Sequence, residues 1–169
     1  MSTNSSYPED QFNLMENWGL SDYDAKHKFV LSFTYQLPFN FLVSAIGHIR
    51  SGFPFSALDE RDNNTDIYES DRALFQDEQG NWVHADRNTY RQPYNRRLDL
   101  RFSWTANFGR DLSLELILDL FNVTNEANFY SSGSRQVLVE SDGSFNDRFG
   151  QLNRAGEPRN FQLGAKFRF

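Results

Sequence analysis

The residues of this chain with the most obvious chemistry are its acids, and they fall into two patterns. The first is a dense run, Asp59-Glu-Arg-Asp-Asn-Asn-Thr-Asp66, continued by Glu69 and Asp71. Clustered carboxylate and amide oxygens are calcium's preferred ligands, but the glycine that makes the sharp turn of an EF-hand loop is missing from its place. Residues 59–71 are therefore expected to form a solvated acidic loop, and no metal site is assigned. The second pattern is alternating: Arg97, Asp99 and Arg101; Glu115 and Asp119; Lys166 and Arg168. Residues two or four apart in a strand share a face. Charges on such a face can line a polar lumen that meets a plug or a passing substrate. They can also form cross-strand ion pairs that hold register, and the ladder is the favoured expectation.

For catalysis the chain offers little. His27, His48 and His84 are far apart and match no metal spacing. There is no Gly-x-Ser-x-Gly elbow and no glycine-rich phosphate cradle. Cysteine is absent, which excludes disulfides and thiolate metal sites. The net charge of -6 argues against nucleic acid as a partner. The reading is a non-enzyme without a cofactor. Aromatics in the connections could grip a ligand, because they supply contact area at low entropic cost. The candidates are Phe53, Phe55, Tyr68, Phe75, Trp82, Tyr90, Tyr94, Phe129 and Tyr130. They could equally pack the loops together or belong to an aromatic girdle.

The elements that would position these residues are strands. The final stretch, Phe161 to Phe169, places Phe161, Leu163, Ala165, Phe167 and Phe169 on one face and Gln162, Gly164, Lys166 and Arg168 on the other. The same period of two recurs at residues 26–37, 41–50, 95–106 and 112–121. Leucines at 112, 114, 116, 118 and 120 would be scattered around a helix, so that segment too reads as a strand. Each segment has about ten residues, the length a tilted strand needs to cross a hydrocarbon core. No run of about eighteen apolar residues exists for a transmembrane helix, and no signal peptide precedes the strands. A mean hydropathy of -0.68 is compatible with a barrel, where only alternate residues meet lipid.

The connections alternate in length. Pro38 to Asn40 and Asn107 to Asp111 read as tight turns, while residues 51–94 and 122–158 read as long polar loops. Short turns at one end and long loops at the other are the pattern of outer-membrane barrels, the short turns being periplasmic. Residues 1–25 and both long loops would then lie outside the cell. Five strands fall short of the roughly eight that close the smallest barrels. An open sheet in lipid would leave unsatisfied edges. The expected fold class is therefore all-β, with antiparallel up-and-down strands forming the C-terminal segment of an incomplete transmembrane barrel.

Several segments carry a family resemblance. They are Leu20-Ser-Asp-Tyr-Asp-Ala-Lys-His-Lys-Phe-Val30, Tyr35-Gln-Leu-Pro-Phe39, Arg50-Ser-Gly-Phe-Pro-Phe-Ser56, Arg97-Leu-Asp-Leu-Arg101, Leu120-Phe-Asn-Val-Thr-Asn125 and the stretch from Pro158 to Phe169. In this order they resemble the end of a TonB-dependent outer-membrane receptor, most closely the Oar-like group with an N-terminal carboxypeptidase-regulatory-like domain. The resemblance implies a barrel of about 22 strands, plugged and driven by the TonB complex. It implies location in the bacterial outer membrane, with lipid, the barrel assembly machinery, a plug domain and the rest of the barrel as partners. Gln162, Gly164, Phe167 and Phe169 match the C-terminal signal that the assembly machinery reads. Gly164 is also expected to allow a close backbone approach, and Phe167 and Phe169 to anchor at the interface. The implied activity is binding and import of an extracellular ligand. Two alternatives remain: a smaller porin or adhesin-type barrel without energy coupling, and a soluble carbohydrate-binding β-sandwich.

Overall fold

The computed structural model describes residues 9–10, 12–65, 71–109 and 111–169. Among them the regular structure is strand, with two short 3-10 turns and no α-helix. In chain order the strands are β1 (Lys28–Leu37), β2 (Phe41–Arg50), β3 (Pro54–Phe55), β4 (Leu58–Asp59), β5 (Asp71–Arg72), β6 (Leu74–Gln76), β7 (Trp82–His84), β8 (Tyr90–Arg91), β9 (Asn95–Asn107), β10 (Ser113–Phe121), β11 (Val137–Val139) and β12 (Asn160–Arg168). The chain divides into two units, one of residues 27–50, 94–128 and 156–169, the other of residues 1–26, 51–93 and 129–155.

The first unit is a five-stranded antiparallel sheet in the order β1-β2-β9-β10-β12. Its register joins the odd residues of β1, β2 and β12 to the even residues of β9 and β10. One row runs Phe33, Ala45, Leu100, Leu120, Phe161; the next runs Tyr35, Val43, Phe102, Leu118, Leu163. Because a strand's side chains alternate, this register merges five apolar stripes into one continuous apolar face. Phe33 stacks along β1 on Tyr35 at 6.1 Å, and Phe41 meets Trp104 across β2 and β9 at 6.2 Å, within the range of favourable ring pairs. Closing the β1–β2 hairpin needs positive φ at both Phe39 (61°) and Asn40 (63°). Two successive left-handed residues suit the right-handed twist of the strands.

This sheet is built inside out relative to a water-soluble one. Its buried residues are Ser103, Asp119 and Asn122, whereas Phe161 is 71% and Leu163 72% exposed. Every buried apolar side chain among the described residues belongs to the other unit. No second sheet covers the apolar face within this unit. Its edge strands, β1 and β12, are exposed along their whole length.

In the second unit the two long polar connections carry short strands of their own. Among the described residues, six short strands lie within residues 51–94 and one within 122–158. They form the sheets β11-β4-β5, β3-β8 and β6-β7 around a small core of Phe55, Ala57, Leu58, Ala73, Val137 and Val139. The β4–β11 pair is parallel. Pairs of two or three residues are too brief to show a period in sequence, so polarity hid them. Gly52 permits the chain to pass beneath β8's exit: a Cβ there would overlap the Gln92 carbonyl outright. Gly52→Ala is expected to destabilise this unit by about 1–3 kcal/mol. Faster hydrogen exchange at the Gln92 amide, which donates to the Phe53 carbonyl at 2.9 Å, is the readout. Unchanged protection would show that the backbone accommodates the methyl.

Candidate functional site

The seven residues expected on a lumen face do share one face of the sheet, opposite the apolar one. Arg101 and Asp119 are register partners. The guanidinium grips the carboxylate through two bonds, Nε at 2.5 Å and NH2 at 2.8 Å. That fork-on-fork geometry is the strong form of the contact, and Asp119 is only 8% exposed. Their row continues on both sides, with Thr34 donating to Ser44 at 3.2 Å and Gln162 opposite Asp119. Arg97 instead pairs along its own strand with Asp99, Nε lying 2.8 Å from both oxygens. It also reaches Glu157 at 3.4 Å and lies 5.6 Å above the Phe121 ring. Glu115 stands between Thr105 and Lys166 in register, and Arg168 opposite Ser113. The expected ladder thus exists as one cross-strand rung and one same-strand pair.

Asn122 joins this face to the connection that follows β10. It is 2% exposed with φ +50°. Its main-chain N–H donates to Asp99 Oδ1 at 2.8 Å. Its side chain donates to the Glu126 and Glu157 carbonyls, both at 2.9 Å, and accepts from the Glu126 N–H at 3.0 Å. Asn125 and Asn128 also have positive φ and reach out in the same way. Asn125 accepts from the Arg159 N–H at 3.2 Å, and Asn128 exchanges two bonds with the Arg96 backbone, both at 2.7 Å. Asparagine tolerates the left-handed region and carries both a donor and an acceptor. These three residues were not singled out from sequence as a site. Their spacing of three within a polar stretch is the signal that could have found them.

Within β12, Gln162 and Gly164 face the polar side. Phe167 and Phe169 lie on the apolar side, 6.2 Å apart. A Cβ at Gly164 would sit 3.6 Å from the Ile117 Cβ, an ordinary contact. The close approach expected there is absent within this sheet.

The loop aromatics do not act as one set. Phe55 is 5% exposed and packs against Tyr90 at 5.6 Å and Phe149 at 6.1 Å, with Tyr90 and Phe149 edge-on at 5.0 Å. Phe149 had not been singled out. Phe53 meets Tyr23 edge-on at 5.8 Å. Phe55 is thus core, while Phe75, Trp82, Tyr90, Tyr94, Phe129 and Tyr130 are exposed. Tyr68 lies outside the described residues.

The acidic run is likewise not a solvated loop throughout. Asp59 and Asp71 are fully buried. Asp59 takes a fork from Arg61 (2.9 and 2.7 Å) and the Arg61 N–H at 3.0 Å; Asp71 accepts the Asn63 N–H at 2.6 Å. Burial pushes the Asp59 carboxyl upward, but the Arg61 and Asn63 hydrogen bonds outweigh it and hold the group below the usual aspartate range. Asp66 and Glu69 lie outside the described residues. Among the described residues no group of three acidic or histidine side chains is placed to hold a metal. Glu9 occupies Arg72 instead, taking Nε at 2.5 Å, and stands 3.4 Å from His84. Comparison with protein-family models, curated proteins and solved structures finds no match to this chain.

Proposed function

We propose that this chain supplies part of the barrel wall of an outer-membrane receptor of the TonB-dependent kind, which binds and imports an extracellular ligand. The observation that carries the reading is the inverted sheet, with an apolar face left exposed while the residues it buries, Ser103, Asp119 and Asn122, are polar. Water penalises that arrangement, since apolar area in contact with it costs roughly 25 cal/mol per Å². Lipid outside and a polar lumen inside reverse the sign. The exposed edges of β1 and β12 call for neighbouring strands, because unpaired backbone groups are not tolerated in a hydrocarbon core. Remaining barrel strands, a plug domain and the TonB complex are the partners this reading requires, with the assembly machinery engaging β12. The energised-receptor part rests on the resemblance of the quoted segments.

The chain has no cysteine, so single-cysteine variants can be placed at will along β9 and β10. In isolated outer membranes, a water-soluble maleimide is expected to label positions 105 and 117 and to spare 100, 102 and 118. Uniform labelling would overturn the membrane reading. Ligand uptake that persists after the proton-motive force is collapsed would replace the energised receptor with a passive pore.

A further inference from the structure

The apolar face has chemically different ends. At the end with the tight turns its exposed residues include Phe41, Phe167 and, at the turns and the terminus, Phe39, Phe108 and Phe169. Among the described residues no lysine or arginine falls on that face there. At the other end, the loop end, two arginines do. Arg96 pairs with Ile49 and has the parity of Leu98 and Leu100. Arg159, directly before β12, has the parity of Phe161 and Leu163. Both are exposed, and neither closes an ion pair among the described residues. Tyr94 and Phe161 flank them on the same face, also exposed. Arginines beside aromatic rings at the margin of an apolar band are the residue types of a membrane–water boundary.

We propose that Arg96 and Arg159 form a binding rim for phosphate-bearing lipid headgroups at the loop end of the sheet. The inference rests on the membrane reading above. From the row Leu100–Leu120–Phe161, Arg96 lies four residues and Arg159 two residues toward the loop end, with β10 between them. At about 4.8 Å between strands and 3.4 Å per residue, their Cα atoms are about 12 Å apart. Two long guanidinium arms span that gap to a single headgroup, and guanidinium matches phosphate oxygens bidentately. The rim is also held still. Asn128 binds the N–H and carbonyl of Arg96, and Asn125 binds the N–H of Arg159. One connection, residues 122–128, thus fixes both backbones and leaves both side chains free to act. The net charge of -6 would repel an anionic headgroup at long range. Any preference for one must therefore come from a local site such as this.

The test reconstitutes the complete barrel that contains this chain in phosphatidylcholine vesicles carrying spin-labelled phosphatidylcholine or spin-labelled phosphatidic acid. Electron paramagnetic resonance then measures the motionally restricted fraction of each lipid. Phosphatidic acid is expected to associate at least about five-fold more strongly than phosphatidylcholine. Arg96→Gln with Arg159→Gln should bring the ratio to unity, since glutamine removes the charge and leaves the asparagine–backbone bonds in place. Equal restriction of both lipids by the unmodified chain would overturn the rim while leaving the membrane reading intact. A preference that survives the double substitution would also overturn it. No restricted lipid of either kind would overturn the membrane reading, and the rim with it.

Discussion

Arginine in place of Leu118 is expected to abolish stable insertion of the sheet into lipid, while arginine in place of Ser32 leaves insertion intact. Leu118 lies mid-row on the apolar face between Phe102 and Leu163. Ser32 is exposed on the opposite face, in register through Ile46 with Asp99. A cationic side chain on the lipid side of a barrel strand costs about 2–4 kcal/mol near the midplane, and far less toward the interfaces. The insertion equilibrium should therefore fall roughly thirty- to several-hundred-fold. On the opposite face, the lumen side of the proposed barrel, the same charge would stay in water. The contrast between the two variants, each carried in the complete barrel and read as the fraction floating with vesicles in a density gradient, is the informative quantity. A soluble sandwich makes the opposite demand, that the unmodified chain folds without lipid or detergent. Equal behaviour of the two variants would remove lipid from the account of this face.

Asn122→Ala is the second large effect. The substitution strands two backbone groups, the Glu157 carbonyl and the Glu126 N–H, and leaves the Glu126 carbonyl with only the Asn128 side chain at 3.5 Å. It does so at a position only 2% exposed, where water has little access. Each orphaned group costs about 1–3 kcal/mol where water does not replace the lost partner. Alanine at φ +50° adds about 1–2 kcal/mol of backbone strain. A loss of roughly 4 kcal/mol or more is expected, read from denaturant unfolding of the detergent-folded chain. Asn122→Gly separates the two contributions, because glycine accepts the left-handed backbone and lacks only the side-chain bonds. The glycine variant should recover about 1 kcal/mol of the loss. If alanine costs less than that, water has replaced the asparagine, and the 122–128 connection does not hold the ends of β9 and β12 in place.

The sequence by itself determined the five long strands and their two faces. Period-two patterning over nine or more residues cannot be satisfied by any other regular structure. Its reading of Leu112 to Leu120 as strand rested on that same period, against leucine's preference for helix. It also placed Arg97, Asp99, Arg101, Glu115, Asp119, Lys166 and Arg168 on a common face, because parity within a strand is local information. What it could not set is which of these charges meet. Register decides that. Arg101 faces Asp119 because β9 and β10 are joined by one particular turn, and a slip of one residue would turn Asp119 to the apolar side.

Tertiary structure alone decided the rest. Residues 51–94 and 122–158 read as loop because strands of two or three residues carry no period. Their pairing comes from partners far along the chain, as in Leu58 with Val137. Asp59 and Asp71 look solvated in sequence yet are buried, since Arg61 and the Asn63 amide satisfy them. Phe55 offers itself as a ligand contact but is core, because Tyr90 and Phe149 close over it. The two arginines at the loop end become a pair only when β10 brings β9 and β12 to either side of it. Alternation is written residue by residue along the chain, whereas burial and partnership depend on segments that only folding brings together.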